Sequence, residues 1–231
     1  MMQVQLASWN IRKCVGLDRR RDPRRIARVL SDLEADIVVL QEADRRLGRR
    51  PAALPHWLVK AETPYEPIDA VSNNVSLGWH GNAVLLGPEM RCEDVHRLQL
   101  SGLEPRGALL ADVSGRGMSL RIVAVHLGLL RKSRQQQLLE IGSLLKNKEP
   151  RPTVVIGDFN EWSAKADFSG LGDFRVEAPG RTFHSARPVA ALDRVAVGHG
   201  AALDSASVIE TKTTRIASDH LPITATVSVA A

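Results

Sequence analysis

At 231 residues with 44% hydrophobic content the chain is long enough to bury a sizeable core, and a single domain spanning residues 1–231 is expected. Lys and Arg number 31 against 26 Asp and Glu, a formal charge of +5 that favours anionic partners (nucleic acid, acidic lipid, phosphorylated metabolites) without choosing among them. Cys14 and Cys92 stand in no metal-like spacing, which argues against a disulfide framework or structural zinc site and fits a reducing cytoplasm, while aromatics at 4%, with Tyr65 the single tyrosine, argue against a stacking platform for single strands.

Residues 3–11 alternate Val4, Leu6 and Ser8 with Gln5, Ala7 and Trp9, predicting a strand that ends at Asn10; they lack the apolar stretch of a signal peptide, and no run approaches transmembrane length. Asp22 and Pro23 then open a helix through about Leu33, with Asp as N-cap, Pro at the first position, and Ile26, Val29, Leu30 and Leu33 on one face. Residues 37–40 form a compact apolar strand running into Gln41 and Glu42. Further strands are expected at 75–79, 82–86, 108–113 and 120–126, and a second helix at 133–145, where Gln137, Leu138, Ile141, Leu144 and Leu145 follow helical spacing before Pro150. Residues 187–191 read as a loop, followed by late strands at 192–197 and 221–229. Three basic clusters, 13–25, 45–50 and 131–134, read singly as solvated faces; together, each near a strand end, they could focus a positive field on a phosphate substrate.

The string VVIGDFNEW at 154–162 is the sharpest feature. A short β-branched strand from Thr153 to Ile156 runs into Gly157 and delivers Asp158 and Asn160, spaced two apart, to one side of an extended segment. The same string also fits an Asx turn. The balance shifts because Asn10, Glu42, His126, Asp158, Asn160, Asp193, Asp219 and His220 all fall at or just beyond a predicted strand end, where loop-borne functional groups gather on an α/β scaffold. Each residue alone has an ordinary reading: Glu42 as a helix-start carboxylate, His126 as a hydrogen-bonded core histidine, Asp219 and His220 as a turn before Pro222.

The ordered motifs SWNI (8–11), LQE (40–42), GNAVLL (81–86), PRGAL (105–109), VHLGL (125–129), GDFN (157–160), LDRV (192–195) and SDHLP (218–222) resemble the endonuclease/exonuclease/phosphatase superfamily, across nearly the whole chain. The resemblance implies an α/β four-layer sandwich, two mixed β-sheets packed face to face between outer helices, with the site at one edge. It also implies roles. Glu42 would be the principal carboxylate ligand of Mg²⁺ or Mn²⁺, with Asn10 and Asp219 nearby; hard oxygen donors suit those ions. Asp158 would orient or deprotonate the attacking water, Asn160 would hold a phosphate oxygen, and His220 would donate to the phosphate. His126 paired with Asp193 would protonate the leaving oxygen, the carboxylate keeping the imidazole charged at neutral pH. Asn82, Arg106 and His184 would line the substrate, although a surface salt bridge explains Arg106 almost as well.

Apurinic endonucleases of the superfamily usually place tyrosine where His126 stands, and the late motifs lack the further signatures of the 5-phosphatases; the sequence most resembles a small bacterial branch. The resulting expectation is a monomeric, cytoplasmic, metal-dependent phosphodiesterase, nuclease-like on DNA or RNA by in-line attack of water. A phospholipid or small-molecule phosphoesterase is the alternative, and a silent binding module is disfavoured because the residue set is intact. The loops at 48–57 and 181–188 contain Leu54, Trp57 and Phe183 but no long apolar run, which leans against membrane insertion.

Overall fold

Apolar side chains fall on both faces of most strands, and that pattern demands a partner layer on each side. In the computed structural model, which describes residues 2–46, 48–70 and 75–229, twelve strands form two six-stranded sheets. One runs in the order β11 (Ala201–Val208), β12 (Ile223–Val229), β1 (Met2–Asn10), β2 (Ile37–Gln41), β4 (Ala83–Leu86), β3 (Glu66–Pro67). The other runs β5 (Met90–Leu100), β6 (Arg106–Gly115), β7 (Met118–His126), β8 (Thr153–Asp158), β10 (Asp193–Gly198), β9 (Arg175–Glu177). The pairs β1–β2 and β7–β8 are parallel and the rest antiparallel, so both sheets are mixed.

Period-two alternation sorts the side chains into layers. Val4, Leu6, Ile37, Val39, Ile122, Ala124, Val154, Ile156, Val195 and Val197 fill the gap between the sheets. Their neighbours on the first sheet, Ala7, Trp9, Val38 and Leu40, turn outward against α1 (Pro23–Ser31) and α2 (His56–Glu62). On the second sheet Val123, Val125 and Val155 turn outward against Leu138, Ile141 and Leu145 of α3 (Arg131–Lys146). The expected four-layer sandwich is what the chain adopts. A short α4 (Thr214–Ala217) precedes β12.

The local signals at α1 act as read: Asp22 accepts from the Arg25 N–H at 3.0 Å and Pro23 occupies the first position. The strand expected at 75–79 does not form. The Asp44 carboxylate instead accepts the backbone N–H groups of Leu77 (2.6 Å) and Gly78 (3.2 Å), taking donors a ladder would have used. Burial raises that carboxyl to about 6 despite these hydrogen bonds. Trp79 and Asn82 then exchange backbone hydrogen bonds (2.8 and 2.9 Å), a tight turn that leads into β4.

Candidate active site

Strand parity sets the site. Counting along β1, Val4, Leu6, Ser8 and Asn10 share one face; β7 continues Ile122, Ala124 to His126, β8 continues Val154, Ile156 to Asp158, and β10 begins at Asp193 in step with Val195. The apolar gap between the sheets therefore becomes polar at its last rung. Register completes the row: His126 pairs opposite Asp158 on one side, and Asp193 opposite Asp158 on the other. Antiparallel β10 and β12 bring Asp193 and the Asp219–His220 pair to this edge from their beginnings, so these residues gather with the strand ends of β1, β2, β7 and β8.

Gly157 lies inside β8 rather than in a turn, with φ +148°; a Cβ there would sit 2.0 Å from the Val125 carbonyl oxygen of β7. The turn comes at Asn160 (φ 51°), whose N–H donates to Asp158 Oδ1 at 2.9 Å. The Asx turn and the functional reading thus coexist. Asp158 uses one carboxylate oxygen to shape the loop and presents the other to Asn10 Nδ2 (3.0 Å), His126 Nε2 (3.4 Å) and His220 Nε2 (3.7 Å).

The histidine–aspartate pairing differs from the expected one. Asp193 Oδ2 lies 2.8 Å from His220 Nδ1, not beside His126, because Asp219–His220 arrives from the opposite sheet and covers the start of β10. Thr182 donates to the same oxygen at 2.5 Å, while Asp193 Oδ1 is buried without a hydrogen-bond partner. Burial opposes charge on His220, but Asp193 and Asp158 outweigh it and push the imidazole up to about 10. His126 goes the other way: burial, then the nearby Arg106 and His220 charges, hold it well below its ordinary value, so it is neutral at pH 7. The imidazolium of this site is therefore His220, contrary to the expectation for His126. Burial and Asp193 raise Asp158 to about 6, against the lowering influence of His220, Asn10 and Asn160.

Glu42 and Asp219 stand at the solvent side of the row. A 3₁₀ turn at Arg12–Cys14, with three successive positive φ values, delivers cations to both. The Lys13 ammonium contacts the Glu42 carboxylate, Arg46 lies 3.7 Å from its other oxygen, and Arg12 Nε lies 3.4 Å from Asp219. Burial, and after it the Arg46 charge, depress Lys13 to about 8. Asn10 Oδ1 accepts the Arg12 N–H at 3.1 Å.

Two candidate metal groups can be compared. Asp158, Asp193 and His220 bring one ligand-type atom each within 4.8 Å of one another, all buried. His220, held protonated between the two carboxylates, already offsets one of their two negative charges. Glu42, Asp219 and the Asn10 amide oxygen, the set expected from the sequence, are all-oxygen donors of the kind that suits a hard divalent cation, their carboxylates here paired with Lys13, Arg46 and Arg12.

Three expected substrate contacts are placed differently from one another. Asn82 is fully buried, its Nδ2 donating to the Gly107 (2.8 Å) and Trp79 (3.4 Å) carbonyls, so it ties one sheet to the other. Arg106 lines a cavity of about 240 Å³ that also takes in Lys13, Glu42, Arg46 and His126. His184 sits one ring out from the row: Phe183 packs 5.5 Å from His184 and 5.1 Å from His220, with Trp162 on its far side at 5.7 Å. Asn160 gives an amide hydrogen to the Leu127 carbonyl at 2.8 Å. Of the basic clusters, Lys13, Arg45, Arg46 and Arg50 reach the cavity; Arg134 is instead buried, ion-paired with Glu161 at 2.8 Å. The sequence reading missed Thr182 as the anchor of Asp193 and His80 as a cavity wall. Neither carries a local signal, since each sits in a loop or turn that meets its partners only in the folded chain.

Comparison with known proteins places this geometry. The family model described as Endonuclease/Exonuclease/phosphatase family matches residues 7–220. YbhP of Escherichia coli (strain K12), an uncharacterized protein, is 30% identical over 211 residues, covering 84% of this chain and 83% of that one. Among solved structures, Danio rerio TDP2 complexed with a single-strand DNA product superposes with a TM-score of 0.76 at 19% identity, over 99% of this chain and 100% of that one. The mannosyl-6-phosphatase Bt3783 of Bacteroides thetaiotaomicron VPI-5482 also gives 0.76, at 15% identity over 97% and 99%. The row of Asn10, His126, Asp158, Asp193 and His220 at the sandwich edge is thus carried by a chain that belongs to the endonuclease/exonuclease/phosphatase family, whose members are phosphoester hydrolases and usually metal-dependent.

Proposed function

We propose that this protein is a metal-dependent phosphodiesterase that cleaves nucleic acid, DNA or RNA, by in-line attack of water. The observation that carries the reading is the shared Asp158 oxygen, faced by Asn10, His126 and His220 beside a cavity with cationic walls. Asp158, with a carboxyl raised to about 6, is suited to accept a proton from the attacking water near neutral pH. His220, kept charged by Asp193, donates to a phosphoryl oxygen and is the residue able to protonate the leaving oxygen. Neutral His126 offers a hydrogen bond at Nε2 and orients Asp158. Arg106 supplies a guanidinium to the phosphate from the cavity wall. Mg²⁺ or Mn²⁺ would be held by Glu42, Asp219 and Asn10 and would supply neutralisation of the charge that grows on the phosphoryl oxygens.

A lipid or small phosphoester is the second reading, favoured by the exposed Leu103, Leu129 and Leu130 on loops flanking Arg106 and His126. Purified protein with Mg²⁺ or Mn²⁺ and an EDTA control, on supercoiled plasmid, single-stranded DNA, phospholipid vesicles and bis-p-nitrophenyl phosphate, separates them. Nuclease activity predicts plasmid nicking that disappears in EDTA and drops by ~10²-fold or more in Glu42→Gln; full activity in a Glu42→Gln/Asp158→Asn variant would overturn the mechanism.

A further inference from the structure

The cavity beside the catalytic row is richer in positive charge than one phosphoryl group requires. Five cations, Lys13, Arg45, Arg46, Arg50 and Arg106, line it against two carboxylates, Glu42 and Glu104. Lys13 and Arg46 are already engaged by Glu42. Glu104 lies 3.9 Å from Arg106 Nε, beyond hydrogen-bond reach, and that buried Nε has no hydrogen-bond partner. Among the described residues, no carboxylate is within ion-pair distance of Arg45 or Arg50. Arg50 is nevertheless fixed in place. Its Nη1 lies 2.8 Å from His80 Nδ1, and the same ring nitrogen lies 3.1 Å from the Pro105 carbonyl oxygen, so the imidazole is held between the guanidinium and the β6 entry loop. The Trp79 ring, edge-on at 4.6 Å and itself hydrogen-bonded to the Leu98 carbonyl at 3.2 Å, backs that imidazole.

Cations without counter-charges, lining a cavity that also takes in Glu42 and His126, suit an anion joined to the group being hydrolysed. The volume limits its size: about 240 Å³ is below the ~300–1,000 Å³ of sites that enclose drug-sized ligands. We infer that Arg45, Arg50 and His80 form a subsite for a second, compact phosphate carried by the same substrate as the phosphoryl group held at Asp158 and His220. The inference rests on the phosphoesterase reading and narrows it. The substrate carries two phosphates close together, as a 5′-phosphorylated strand end or a small bisphosphate does, and a lipid with a single phosphodiester leaves the subsite empty.

Binding, measured without turnover, tests this separately from catalysis. Calorimetry in EDTA with inorganic pyrophosphate and orthophosphate should show pyrophosphate bound at least tenfold tighter by the wild type. In Arg45→Gln/Arg50→Gln that preference should fall to threefold or less, whereas Arg24→Gln/Arg175→Gln, which removes equal charge from distant surface positions, should retain it. Equal binding of the two ions by the wild type, or a preference that survives in Arg45→Gln/Arg50→Gln with an unchanged melting temperature, would overturn the subsite. A 5′-phosphorylated dithymidine and a hexose bisphosphate then compare the sources: tighter binding of the first assigns the subsite to a strand end, of the second to a small metabolite. Absence of hydrolysis on every substrate would refute the phosphoesterase reading and leave these binding outcomes standing.

Discussion

His220 illustrates how two neighbours decide the state of a residue. Burial alone would discharge it, yet the Asp193 and Asp158 carboxylates keep it protonated to about pH 10. Replacing Asp193 by Asn removes the largest favourable charge, and imidazole NMR shifts should then show His220 titrating more than one pH unit lower, while His126 stays neutral at pH 7. The sign for stability follows by linkage. A folded value above the unfolded ~6.5 gives stabilisation that is complete below pH 6.5 and lost as pH rises through about 10. This contribution to wild-type stability should decline across that window, and thermal melting against pH should show a shallower decline in Asp193→Asn. The residue types at this edge were legible because strand ends and family motifs mark them. The His220–Asp193 partnership was not, since it depends on β10 lying beside β8 and on a turn delivered from the other sheet.

Among the elements, β8 shows why one glycine is required. Its parallel neighbour β7 runs so close that a Cβ on residue 157 would meet the Val125 carbonyl oxygen at 2.0 Å, and backbone in the middle of a sheet has little room to retreat. Gly157→Ala should destabilise the protein by ~3 kcal/mol or more in urea unfolding; a loss below ~1 kcal/mol would show that the two strands can separate locally. Strands such as β2 and β8 were plain from sequence because both faces are buried and read as unbroken apolar runs. Edge strands β5 and β11 escaped because charged and small polar residues occupy most of their exposed positions, a composition that also discourages edge-to-edge association. At 75–79 the apolar spacing misled, as a buried aspartate 33 residues before Leu77 had claimed the backbone donors.

Across the molecule, the two sheets are joined by apolar packing and by a few polar ties, of which Asn82 is the most buried. It links the turn before β4 to Gly107 in β6, so it acts on the mutual placement of the halves that carry Glu42 and Arg106. Asn82→Ala should cost ~1–3 kcal/mol of unfolding free energy by leaving the Gly107 carbonyl unpaired, with kcat/KM per folded molecule within about twofold. A large kcat/KM loss at unchanged stability would return Asn82 to the substrate. The sandwich as a whole was readable from sequence because its two-faced strands and two amphipathic helices permit few other layerings; the distribution of charge around the cavity was not, because it joins segments from 13 to 126 through loops.

The central position of β1, between β12 and β2, has a consequence in time. Asn10 precedes Asp219 and His220 by more than two hundred positions, yet they face one another across a single edge. A nascent chain that has emerged as far as β10 holds His126, Asp158 and Asp193 but not the imidazolium between the carboxylates, and the edge of β1 waits for its antiparallel neighbour. The row is therefore assembled only when β12 pairs with β1, by a contact that reaches across most of the described chain.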